Sequence, residues 1–91
     1  MSVAETIRHK LTERFAPTRL AIIDDSHRHA GHAGARPGGE THFTVTIVSA
    51  GFAGHNRVAR QRLVHQTLAE ELAGPVHALS LSTLTPEEDT S

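Results

Sequence analysis

No cysteine, tryptophan or tyrosine occurs in the 91 residues, and the aromatic complement is three phenylalanines. Without cysteine there is no disulfide frame and no thiolate ligand. If the histidine-rich region binds a metal, imidazole must supply the nitrogen ligands and any thiolate must come from another molecule. The same absence says little about compartment, because a missing residue cannot report redox state. With so few aromatics the interior has to be built from Leu, Val, Ile and Ala. A chain of this length buries only about 60% of its unfolded surface, enough for one small core. No stretch approaches the roughly 20 apolar residues that span a bilayer, and the first residues are polar and amphipathic rather than a signal peptide. The expectation is a cytoplasmic protein with no membrane association. Neither sign of charge dominates: the formal net charge is -1. That argues against coating nucleic acid or an anionic membrane by bulk electrostatics and leaves only local patches. No Walker or Rossmann glycine pattern and no nucleophile-base-orienter spacing is present, so an enzyme is not expected.

What the chain does have is histidine. Four of its eight histidines lie between His27 and His42, in Ser26-His27-Arg28-His29-Ala30-Gly31-His32 and then, across a Gly/Pro-rich gap, Glu40-Thr41-His42-Phe43. This region is flanked by periodic segments. Ser2 followed by Glu5 has the form of a capping box, and Val3, Ile7, Leu11 and Phe15 recur at i+4, predicting a helix over 3–15. Pro17 stops it, and Leu20, Ile22 and Ile23 mark a first strand over 19–25. Residues 26–39 are loop chemistry, long for a hairpin, and long loops in compact domains are disproportionately functional.

His42 to Ser49 alternates, with Phe43, Val45 and Ile47 on one face and Thr44 and Thr46 on the other. Gly51-Phe52-Ala53-Gly54 reads as a turn. Helical spacing returns over 56–73 through Val58, Val64, Leu68 and Leu72, and Gly74-Pro75 closes it. Residues 76–83 alternate again, with His77, Leu79, Leu81 and Thr83 in phase. The expected fold is α+β, a two-layer α-β-β-α-β sandwich with a three-stranded mixed sheet and both helices on one face. It forms one domain over 1–91, compact over about 2–84, with 85–91 an acidic tail that either makes a short turn or frays.

Three features could carry chemistry. His77 opens the last strand in phase with Leu79 and Leu81, which predicts a ring half sheltered at the edge of the core. It is either a packed histidine satisfied by a neighbour or a ligand meeting a loop histidine. His29 and His32 stand three apart around Ala30-Gly31, and are either ligands or part of a solvated loop that binds metal adventitiously. His42, beside Glu40, is expected to be structural. Finally, Arg57, Arg60 and Arg62 crowd the start of the second long helix while Glu70 and Glu71 lie near its end. This opposes the helix macrodipole and points either to an anionic partner or to solvated arginines. Gly51-x-x-Gly54 also matches the G-x-x-G of KH nucleic-acid modules, but its central Phe52-Ala53 brings no positive charge.

Taken together, Asp25-Ser26, His29-Ala30-Gly31-His32, Glu40-Thr41-His42-Phe43, Val48-Ser49, Phe52-x-Gly54, Arg57-Val58-x-Arg60, Leu68-Ala69-x-Glu71-Leu72 and Val76-His77-Ala78-Leu79 resemble the BolA family over Leu20 to Pro86. The resemblance implies a class II KH-like fold and a non-catalytic partner of monothiol glutaredoxins, monomeric alone and heterodimeric with its partner. The two would share a bridging 2Fe-2S cluster in iron-sulfur trafficking or iron regulation. The glutaredoxin cysteine and a glutathione would hold one iron and nitrogen ligands of this chain the other. His77 matches the family's C-terminal ligand and His29 its loop ligand, with His32 able to substitute. Where the family often has Arg-His-Arg, this chain has Arg60-Gln61-Arg62. Family members have also been regarded as DNA-binding transcriptional regulators, a role for which the basic helix start is the supporting feature here.

Overall fold

The chain opens on helix α1, Val3–Phe15, and its start is set by Ser2, whose hydroxyl accepts from the Glu5 N–H at 3.1 Å. Ile7, Leu11 and Phe15 bury one face of it. The helix ends where Ala16 takes a left-handed conformation (φ 44°) and returns its N–H to the Thr12 carbonyl, just before Pro17. The computed structural model describes residues 2–25 and 42–89. Strand β1, Arg19–Asp24, follows, and strand β2, His42–Val48, pairs with it antiparallel from Arg19 opposite Val48 to Asp24 opposite Phe43. The order then runs through a 3-10 turn (Ala50–Phe52), helix α2 (Arg57–Thr67), helix α3 (Ala69–Ala73) and strand β3 (Ala78–Leu84). Strand β3 lies parallel to β2, His42 opposite Ala78 and Val48 opposite Leu84, in a sheet of order β1-β2-β3.

The alternation expected for β2 holds: Phe43, Val45 and Ile47 are buried with Ile7, Leu11, Phe15, Phe52, Val64, Leu68 and Val76 in one cluster. The helices therefore form one layer over the same face of the mixed sheet, as the α+β reading anticipated. The opposite face carries the rows Ile23–Thr44–Ser80 and Ala21–Thr46–Ser82.

The second helical segment differs from expectation in two ways. It is interrupted at Leu68, where the backbone leaves helical geometry (φ −103°, ψ 22°). The Thr67 hydroxyl bonds back to the Leu63 carbonyl at 2.8 Å, a side-chain competition with the backbone ladder that bends helices. The stripe nevertheless continues, because Leu68 N–H still reaches the Val64 carbonyl and Leu72 N–H the Leu68 carbonyl. Val58, by contrast, is 59% exposed. Val58 and Val64 are six residues apart, and at about 100° per residue that places them some 120° apart around the helix.

Ser49 joins four elements. Fully buried, it donates its hydroxyl to the Phe15 carbonyl at 2.7 Å and accepts from the Gly51 N–H at 3.0 Å, while its own N–H bonds the Leu84 carbonyl at 2.9 Å. Gly54 takes φ +83°, a left-handed conformation that only glycine adopts without strain. A second tie crosses between the helical segments. Lys10 donates to both carboxylate oxygens of buried Glu71, at 3.0 and 2.9 Å, and this pairing raises the Lys10 ammonium above its ordinary value of 10.5.

Thr83 is the exception to polar satisfaction. It lies in the inward phase of β3, and its buried hydroxyl has no hydrogen-bond partner among the described residues. Thr83→Val keeps the shape and removes the stranded hydroxyl. It is expected to raise stability by about 1 kcal/mol, read from the urea midpoint at unchanged m-value.

The acidic segment expected to lie outside the compact part is tied back through its described residues. Thr85 is buried, its N–H bonds Glu88 Oε1 at 2.8 Å, and Glu88 N–H returns to Thr85 Oγ1 at 3.3 Å. The same Glu88 oxygen accepts from Arg60 Nη1 at 2.6 Å, and Asp89 receives Arg19 through two bonds of 3.0 and 2.5 Å. The turn thus closes the end of the sheet from β3 across to β1. Hydrogen bonding to Arg60 lowers the Glu88 carboxyl below its ordinary 4.5, and bonding to Arg19 lowers Asp89 below 3.8. Carboxyls depressed by folding stabilise above their unfolded values and lose that contribution as pH falls through the folded ones. The turn should therefore loosen below about pH 4, seen as faster exchange of the Glu88 and Asp89 amides before the core amides of β2 respond.

Candidate functional site

At the end of the sheet opposite this turn, β1 ends, β2 begins and β3 begins. Asp25 N–H bonds the His42 carbonyl at 2.8 Å, and the Thr44 hydroxyl bonds the Asp25 carboxylate. The residues that leave and re-enter the sheet around segment 26–41 are thereby held together. His29 and His32, the expected loop ligands, lie outside the described residues.

His77 is at this end, but not as its phase predicted. Strand β3 starts only at Ala78, so the period-two alternation does not extend back to His77. Val76 already fills the inward position, buried and anchored by its N–H to the Glu71 carbonyl at 2.9 Å. His77 consequently projects into solvent instead of sheltering at the core edge. It stands beside His42, the two rings edge to face with centroids 6.4 Å apart. This approach follows from the parallel register, which sets His42 against Ala78, the residue after His77. Sequence reasoning gave His42 a structural role and did not place it near His77; the parallel pairing of two strands, one opening at a histidine and the other just after one, was the signal available. The pair puts two imidazoles where β2 and β3 begin, a nitrogen donor set suited to iron, zinc or copper. Among the described residues no group of three His, Asp or Glu side chains is placed to enclose a metal, so the pair offers a partial ligand set that requires others to complete it.

The arginines at the start of α2 divide into two kinds. Asn56 caps the helix, its side chain accepting from the Ala59 N–H at 2.8 Å. Arg57 and Arg62 are exposed, on a face shared with Val58, Gln61 and His65. Arg60 is not available in the same way. Its side chain is only 12% exposed, with Nε on the His55 carbonyl at 2.8 Å and Nη1 on both the Thr83 carbonyl at 3.2 Å and Glu88 at 2.6 Å. Gln61 donates to the Leu81 carbonyl at 3.3 Å. Arg60 and Gln61 together occupy outward carbonyls of β3, an edge strand whose open groups would otherwise invite pairing. The G-x-x-G segment also has an internal role: Phe52 is wholly buried, its ring 5.1 Å from that of Phe15.

Among the described residues no helix is long and apolar enough to cross a membrane. The family model for BolA-like proteins matches residues 11–88. The chain is 50% identical over 90 residues to the chloroplastic protein BOLA1 of Arabidopsis thaliana, covering 97% of this chain and 56% of that protein, so it spans about half of that relative's length. It is 45% identical over 86 residues to the DNA-binding transcriptional regulator BolA of Vibrio cholerae, covering 94% of this chain and 77% of that one. Among solved structures, BolA1 from Arabidopsis thaliana superposes with a TM-score of 0.88 at 48% identity, over 98% of this chain and 97% of that one. With the mixed sheet, its covering helical layer and these matches along nearly all its length, the chain belongs to the BolA-like family.

Proposed function

We propose that this protein is a non-catalytic adaptor that shares a 2Fe-2S cluster with a monothiol glutaredoxin, as cargo in iron-sulfur trafficking or iron regulation. The observation that carries this reading is the solvent-facing His77 set against His42 where β2 and β3 begin. A ligand that must meet a partner's iron has to project from the surface, whereas a histidine kept for packing is turned inward. His77 would supply one nitrogen and His29, or His32 in its place, the second. The partner's cysteine and glutathione would supply the sulfur that this chain lacks. Imidazole in place of thiolate changes the charge at one iron and raises the cluster's potential. The test is anaerobic co-reconstitution with a monothiol glutaredoxin and glutathione, followed by absorption and circular dichroism. A spectrum distinct from that of the glutaredoxin alone supports the reading; an unchanged one removes it.

A second reading, DNA-binding regulation, is favoured by the name of the Vibrio cholerae relative and by the exposed Arg57 and Arg62 at the start of α2. One double variant separates the two. Under the adaptor reading, Arg57→Ala with Arg62→Ala slows glutaredoxin association on the order of 3- to 10-fold at low salt, with the unfolding transition unchanged. Under the DNA reading, it flattens the salt dependence of DNA affinity by roughly 1.8 log units, about 0.9 for each lost phosphate contact. Arg60→Ala does not belong in that test, since it releases the C-terminal turn and uncaps the edge of β3.

A further inference from the structure

Arginines at a helix start oppose the macrodipole, and the structure supplies the missing acid from within the chain. Glu88 reaches Arg60 at the mouth of a cleft of about 550 Å³ lined by His55, Asn56, Arg57, Arg60, Thr83 and Glu88. Asp89 meanwhile holds one edge of Arg19, with Nε and Nη2 each donating to a separate carboxylate oxygen. We propose that the turn 85–89 is an electrostatic gate that excludes phosphodiester chains from this cationic surface.

A carboxylate and a phosphate present oxygen pairs to a guanidinium in the same way, so the turn occupies the positions a nucleic-acid backbone would need. Its acids are not loosely held. Thr85 is buried and bonds Glu88 in both directions, and Asp89 N–H bonds the Thr85 carbonyl at 3.2 Å. With the turn in place the cleft wall is bipolar, lined by Arg57 and by Arg60 paired with Glu88. With its acids neutralised, the cleft keeps Arg57 and Arg60 but loses the charge of Glu88, the acid among its lining residues, and Arg19 loses its ion pair. A turn serving only to staple the sheet end would also hold these residues together, but removing its charge would not then alter affinity for nucleic acid. This inference stands apart from the adaptor reading, because its test contains no glutaredoxin and no cluster.

The test uses the full chain and a mixed-sequence DNA duplex of about 20 base pairs, followed by fluorescence anisotropy between about 50 and 200 mM salt. Glu88→Gln with Asp89→Asn keeps the side-chain shapes, leaves one acceptor oxygen on each and removes two charges. Glu5→Gln with Glu13→Gln, on exposed positions of α1, makes the same change in net charge elsewhere. The turn variant is expected to bind at least about tenfold more tightly than wild type at the lowest salt. Its salt dependence should steepen by roughly 1.8 log units, the increment for two further phosphates neutralised. The α1 variant should stay near wild type. Glu88→Gln alone, which leaves Arg19 paired and the turn anchored, should give about half the steepening and serves if the double variant unfolds. Equal affinity of turn variant and wild type, equal tightening by the α1 variant, or no binding by any of them overturns the proposal.

Discussion

Replacing His77 by alanine is expected to abolish the mixed-cluster spectrum with a monothiol glutaredoxin, or to shorten the cluster's lifetime by roughly tenfold or more, while leaving the fold intact. The two halves of this expectation have separate physical causes. His77 is exposed and precedes β3, so its removal opens no cavity and strands no buried group; surface changes of that kind stay within about 0.5 kcal/mol. As a ligand, however, its backbone would be held on both sides, since Val76 before it is buried and Ala78 after it is paired in register with His42. His29→Ala and His32→Ala should each cost less, because neighbouring loop histidines can replace one another. His42→Ala should give an intermediate loss, by removing the ring against which His77 rests. A His77→Ala protein with wild-type spectra and cluster stability would sink the ligand assignment.

Phe52→Ala should be the most damaging single change to the fold. Phe52 is fully buried, packs on Phe15 and sits in the one turn that connects the end of β2 to α2. Truncating a buried phenylalanine costs about 3–5 kcal/mol in lost burial and cavity formation. A domain of this size carries on the order of 5–10 kcal/mol in total. The thermal midpoint should fall by roughly 15–30 °C, with partial unfolding near body temperature. Phe52→Leu, which preserves most of the volume, should cost under about 1.5 kcal/mol. If the alanine variant unfolded within a few degrees of wild type, the Phe15–Phe52 contact would not be a centre of the core.

Some of this protein was legible in its residues alone. The capped i+4 run Val3, Ile7, Leu11, Phe15 and the alternation Phe43, Val45, Ile47 each depend on neighbours in sequence, and both formed as read. The ordered motifs from Asp25-Ser26 to Val76-His77-Ala78-Leu79 led to the BolA family, and the match over residues 11–88 agrees. Periodicity failed where its premise did. Six residues is not a helical repeat, so Val58 faces solvent, and a strand's alternation cannot be extended past its first residue, so His77 points outward. Arg60 and the acidic turn were beyond any local rule. The ion pairs that hold them join residues 28 and 70 positions apart, and whether a charge at a helix start awaits a partner or already has one is decided only when the chain closes those distances. The meeting of His42 with His77 is of the same kind: each residue type was visible in the sequence, but their adjacency is a property of the parallel pairing of β2 with β3, which brings two distant strand starts to the same end of the sheet.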